Sequence, residues 1–167
     1  LVGRARSILP DEESRILELN LDVFGIIDFG DGRLEIEATL FNSKFMNYDL
    51  DGDMALKADW QGADKTFALS VGGFHPRFAQ IPAGFPVLRR LQILARKSGA
   101  TITLQLYFAI TTNSLQFGAK LDIIAKKSGF NIAGGGGYDA IILFNPFSFQ
   151  VLIFFWVRVS KGWFSAG

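Results

Sequence analysis

The sequence predicts an all-β fold, an antiparallel meander of about eight to ten long strands curled into a barrel, cup or sandwich. Three observations predict it. From residue 16 nearly to residue 160, apolar and polar residues alternate with period two, the mark of half-buried strands. Folding the chain about three candidate turns sets apolar residues opposite apolar ones each time, a coincidence helices would not produce. And 49% of the 167 residues are hydrophobic, 17 of them Phe, with a mean hydropathy of +0.25, so a large apolar surface needs cover from a core, a ligand, a partner or a bilayer.

Taken in order, residues 1–15 read as a lead-in segment in which Pro10-Asp11-Glu12-Glu13 opens a short helical turn. Residues 16–160 read as one antiparallel β domain and residues 161–167 as a tail. The chain begins at Leu1 without Met and without a secretory pattern, so it reads as a processed product or a piece of something longer. That leaves the compartment open. The first hairpin folds about Asp31-Gly32, with Phe29 meeting Leu34, Ile27 meeting Ile36 and Val23 meeting Leu40. Asp49-Leu50-Asp51-Gly52-Asp53 lacks the Gly position and terminal Glu of a calcium loop and reads as a tight acidic turn. The second hairpin folds about Gln61 to Asp64, with Trp60 meeting Phe67, Ala58 meeting Leu69 and Leu56 meeting Val71.

Next comes Val71-Gly72-Gly73-Phe74-His75-Pro76-Arg77-Phe78, running on to Pro86, with the single His and three of the five Pro residues. One reading makes it a ligand loop with contacts at Phe74, His75, Arg77 and Phe78. The other makes it a crossover plugging one end of the sheet, Arg77 satisfying backbone carbonyls and the Phe residues capping the core. Residues 86–92 fit either a helical turn or the start of a strand.

The third hairpin is the sharpest. About Thr112-Asn113, Ile110 meets Leu115, Phe108 meets Phe117 and Leu104 meets Leu121, while Gln105 meets Lys120 and Thr103 meets Asp122 on the other face. On either side, Ile93-Leu94-Ala95-Arg96-Lys97-Ser98-Gly99 is echoed by Ile123-Ile124-Ala125-Lys126-Lys127-Ser128-Gly129, a repeated turn solution one hairpin apart. Both basic turns then fall at one end of the sheet, joined by Arg158 and Lys161. Arg96, Lys97, Lys126 and Lys127 are the candidate contacts for anionic head groups or an acidic partner.

Gly134 to Gly137 has no Lys-Ser or Lys-Thr after it and no dinucleotide spacing, so it is not a phosphate loop. It reads as a strand that bends or leaves room for something bulky, either an aromatic side chain from across the core or a ligand lying over Gly135 and Gly136. Residues 140–157 approach the length of a spanning helix, but Asn145-Pro146 interrupts them and β-branched and aromatic residues fill them. Two strands, Tyr138 to Phe144 and Phe147 to Val159, apolar on both faces, fit better.

Several of these stretches resemble an uncharacterised bacterial domain family, the domain of unknown function 6603. The resemblance rests on Asp51 to Leu56, Phe67 to Phe78 with its Gly-Gly-Phe-His-Pro-Arg-Phe string, Ala83 to Pro86, Thr112 to Ala119, Tyr138-Asp139-Ala140 and Phe144 to Phe149. It covers about residues 15 to 160. It implies a domain within very long bacterial chains and brings no catalytic residues with it.

Function narrows mainly by exclusion. With 17 basic and 16 acidic residues, no dominant nucleic-acid footprint is expected. The absence of Cys removes disulfides, thiolate metal sites and Cys nucleophiles. The lone His has no carboxylates at ligand spacing and no triad partners, so neither a metal, a cofactor nor an enzyme site is expected. The expectation is a non-catalytic module with a lipid-like apolar ligand in a Phe-rich cup. The alternative is a structural segment that associates with itself or with neighbouring β domains. An eight-stranded outer-membrane barrel fits the length, but its aromatic girdles are missing.

Overall fold

The computed structural model describes residues 1–11 and 13–161, and they form one antiparallel sheet. Its ten strands are β1 Val2–Leu9, β2 Leu17–Asp28, β3 Arg33–Phe45, β4 Tyr48–Asp59, β5 Thr66–Val71, β6 Leu91–Lys97, β7 Ala100–Thr111, β8 Ser114–Lys127, β9 Phe130–Phe144 and β10 Phe147–Lys161. Each pairs with its sequence neighbour except at one place. β5 and β6 share a single position between β4 and β7. Val71 lies opposite Met54 and Gln92 opposite Asp51, so the strand stops, leaves the sheet for residues 72–90 and resumes along the same line. β1 pairs with β2 and β10 with β9, leaving an open sheet with two edges rather than a closed barrel.

The lead-in segment expected over residues 1–15 therefore contains a strand. Its Arg4 and Arg6 reach Asp22 and Glu18 across the β1–β2 ladder at 2.6 and 3.0 Å. The third hairpin has the predicted register at every pair named above. The first two hairpins are displaced by two residues: Ile27 meets Leu34 and Val23 meets Ala38, and Ala58 meets Phe67 and Leu56 meets Leu69. In the first, the Asp28 carboxylate accepts hydrogen bonds from the Gly30 and Asp31 amides and widens the loop. A slip of two keeps every side chain on its face. Asp49 to Asp53 lies within β4 rather than in a turn. The turn is Met46-Asn47, and Asp51 and Asp53 are held by Arg89 at 2.8 and 2.7 Å. The echoed Ser98-Gly99 and Ser128-Gly129 are both two-residue turns with positive φ at both residues (37° and 79°, 50° and 77°), the conformation that matches strand twist.

The two faces are chemically unlike. Residues such as Val23, Ile36, Leu56, Leu69, Phe108 and Phe117 give one face an apolar surface that runs across all ten strands. The other carries mainly charged and small residues, with larger apolar ones such as Phe24 and Trp156 towards the two edges. The buried core lies on this second face, beneath residues 72–90, where Ala55, Ala68, Ser70, Ala109, Ser114 and Gln116 are almost wholly enclosed. The apolar face stays open.

Candidate functional site

The excursion from residue 72 to 90 is seated by backbone and side chain together. Gly72 takes φ 75° where the strand ends, and a side chain there would strike the Leu106 carbonyl and the Leu91 amide. Phe74 packs on Phe78 and edge-on to Phe85, with ring centroids 5.5 and 4.9 Å apart, and Phe85 rests on Ala55 and Ala68. The sheet accepts these rings because its residues there are small. His75 donates its backbone N–H to the buried Gln116 Oε1 at 2.8 Å, and Gln116 Nε2 donates to Ser114 Oγ at 2.8 Å. The returning chain is clamped twice. Arg89 Nε and Nη2 bond Asp53 at 2.9 and 2.7 Å, which holds the Asp53 carboxyl below its ordinary value. Arg90 donates to the carbonyls of Gly72 and Phe74 at 2.8 and 2.9 Å, the role expected of Arg77, which is exposed.

Beside the insert is a small polar hollow of about 180 Å³. The Arg90 guanidinium lies 3.9 Å from the Tyr107 ring centroid, and the Tyr107 hydroxyl donates to Asp139 Oδ1 at 2.9 Å. Burial, then the Asp139 carboxylate, raises the Tyr107 pKa and keeps the phenol protonated. Tyr107 lies over Gly118, where any Cβ would collide with the ring. Burial also lowers the His75 pKa, and its Nδ1 accepts from the Arg77 amide at 3.1 Å. These groups satisfy one another. No nucleophile is paired with a base here, and among the described residues no cluster of three His, Cys, Asp or Glu is placed to hold a metal.

The larger feature is the apolar face itself. Ile27, Phe108, Ile132, Phe149, Ile153 and Phe155 are all exposed on it. Towards β2–β6 it deepens into a hollow of about 310 Å³ lined by Leu19, Leu21, Leu40, Leu50, Met54 and Leu91. Strand alternation puts no carboxylate on this face among the described residues; its only charges are Lys97, Lys127 and Lys161, all at one end. Lys127 and Lys161 flank Phe130 in register on either side. Arg96, Lys126 and Arg158 stand at the same end on the opposite face. None of these six forms an ion pair among the described residues.

A family described as of unknown function (DUF6603) matches residues 1–166. The chain belongs to it. Membership of DUF6603 extends beyond residues 15–160, taking in β1 and the C-terminal segment. No curated protein and no solved structure matches the chain.

Within this DUF6603 fold the sequence candidates separate into three places. Phe74, His75 and Phe78 face the sheet inside the insert, while Arg77 is exposed beside them. Gly135 and Gly136 lie in β9 against β10: Trp156 Nε1 comes within 3.0 Å of where a Gly135 Cβ would sit, and the Phe155 Cβ within 3.3 Å at Gly136. What crowds these glycines thus belongs to the flanking strands β8 and β10, not to an aromatic ring from across the core. Arg96, Lys97, Lys126 and Lys127 gather at the basic end as two pairs on opposite faces. The residues left unnoticed are the small ones, Ala55, Ala68, Ser70, Ala109 and Ser114. Their placement on the polar side was a readable sign that something packs there.

Proposed function

We propose that this chain is a non-catalytic β module that holds lipid-like apolar chains on its open sheet face, with Lys97, Lys127 and Lys161 at the anionic head groups. The observation that carries the reading is the charge pattern of that face: apolar throughout, free of carboxylates among the described residues, and edged at one end by three lysines. Such lysines lay their methylenes along an apolar surface and keep the ammonium groups at its rim. Nine strand positions and strands of about twelve residues give a face roughly 40 Å in each direction, room for several chains side by side. The hollow beside Leu50 and Leu91 is where a chain end would be most enclosed.

Flotation with vesicles tests this. The chain is expected to float with phosphatidylglycerol vesicles and weakly with phosphatidylcholine. At about 1 kcal/mol per lysine, the triple variant Lys97→Glu, Lys127→Glu, Lys161→Glu loses at least about a hundredfold in partitioning. Equal flotation of the two proteins would remove the head-group role.

One observation favours a second reading, a structural segment of a larger β assembly. β10 is a 15-residue edge strand with large apolar residues on both sides and no partner beyond β9 among the described residues.

A further inference from the structure

The two edges of the sheet differ in kind. β1 has eight residues, carries Arg4 and Arg6, and is followed by Pro10, features that discourage another strand from adding to it. β10 has none of these protections over most of its length. It pairs with β9 at fifteen consecutive positions without a bulge, and from Phe147 to Val157 it contains no charge and no Pro. Ile153 and Phe155 are 73% and 85% exposed, so the open edge is also the greasiest part of the molecule. Alternate residues of such a strand turn their amides and carbonyls outward, a ready ladder for one more strand.

We infer that β10 pairs antiparallel with β10 of a second copy of this chain, joining two sheets into one of twice the width. This deepens the assembly reading and stands apart from the lipid reading. Charge decides the orientation. Both charges of β10, Arg158 and Lys161, lie in its last four residues. A parallel pair would set Arg158 beside Arg158 and Lys161 beside Lys161. An antiparallel pair of full overlap is centred on Phe154 and sets Arg158 opposite Gln150 and Lys161 opposite Phe147. Its two-fold axis is normal to the sheet, so the apolar faces of both copies fall on the same side and form one continuous surface. The outer edges of the pair are then the two β1 strands, short and carrying Arg4 and Arg6, features that discourage a further strand.

The chain has no Cys, so single introduced cysteines report neighbours cleanly. Residues directly opposite in an antiparallel pair have Cα atoms about 4.5–5.5 Å apart, within disulfide reach. Under mild oxidation Phe154→Cys is expected to give a covalent dimer. Phe147→Cys alone gives none, but a mixture of Phe147→Cys with Lys161→Cys cross-links. Phe154 packs over Gly137, so the unaltered chain is sized in parallel, and Ile153→Lys, at an exposed position, is expected to convert its dimer to a folded monomer. A monomeric unaltered chain at every concentration, self-linking of Phe147→Cys, or equal linking of Ala5→Cys on β1 would overturn the proposal. An unaltered chain that forms the dimer but does not float with phosphatidylglycerol vesicles would count against the lipid reading alone.

Discussion

Gln116 of β8 accepts a hydrogen bond from the backbone N–H of His75 at 2.8 Å, linking the middle of the sheet to the segment that leaves it between β5 and β6. Gln116 is wholly buried, and its amide is used on both sides, towards His75 and towards Ser114. A polar side chain with no exposure is tolerated because both bonds are made. Replacing it by an apolar isostere strands a buried donor. Gln116→Leu is expected to cost about 1–3 kcal/mol in urea unfolding. Amide exchange over residues 72–90 should quicken with it, and an unchanged midpoint would show that the bond does not hold the insert.

How far the sequence could be read is clearest from such contacts. The Thr112-Asn113 hairpin was legible to the residue because its turn has only two residues to hide in. The other two hairpins were read two residues out, since longer loops conceal where the ladder ends, yet a period of two preserved the faces. The insert was visible as a break at Gly72-Gly73. Its target was not, because an alternating strand suggests that the apolar side is the covered one. Here Ala68 and Ser70 are enclosed while Ile153 and Phe155 are bare. The side opposite the apolar one became the core because small residues let three Phe rings close on it.

The Arg89–Asp53 clamp makes stability depend on acid. Asp53 has its carboxyl pKa lowered from 3.8, first by the Arg89 side-chain hydrogen bond. A depressed carboxylate contributes its stability above its unfolded value and loses it as pH falls through the folded one. Thermal midpoints are therefore expected to fall on acidification below about pH 4, and less steeply in Asp53→Asn. Parallel curves for the two proteins would exclude this clamp as the cause.

A second acid response lies higher. Burial lowers the His75 pKa below 6.5, so the unfolded chain takes up a proton there before the folded one does. Stability is complete above that value and declines as pH drops below it, levelling off once the folded imidazole protonates. The decline is expected to begin as pH falls through 6.5, and proton NMR of the single imidazole gives its pKa directly. A His75 pKa at or above 6.5 would contradict the assignment.

β9 should resist side chains. A Cβ at Gly137 would collide with the Ala119 carbonyl and come within 2.9 Å of the Phe154 ring. Gly137→Val is expected to destabilise by about 1–3 kcal/mol, because the Ala119 carbonyl is ladder backbone and cannot withdraw without breaking a pair. Gly134 meets nothing closer than 3.4 Å, so Gly134→Ala should be far milder. Equal losses at the two positions would mean that crowding is not what keeps β9 glycine-rich.

Organic extraction of the detergent-free protein, followed by mass spectrometry, reads whether the open apolar face holds lipid-like chains. Lipid is expected in stoichiometric amount, with anionic species lost selectively from the Lys97→Glu, Lys127→Glu, Lys161→Glu variant. A folded protein that yields no lipid, and takes up none when offered, would contradict the lipid reading.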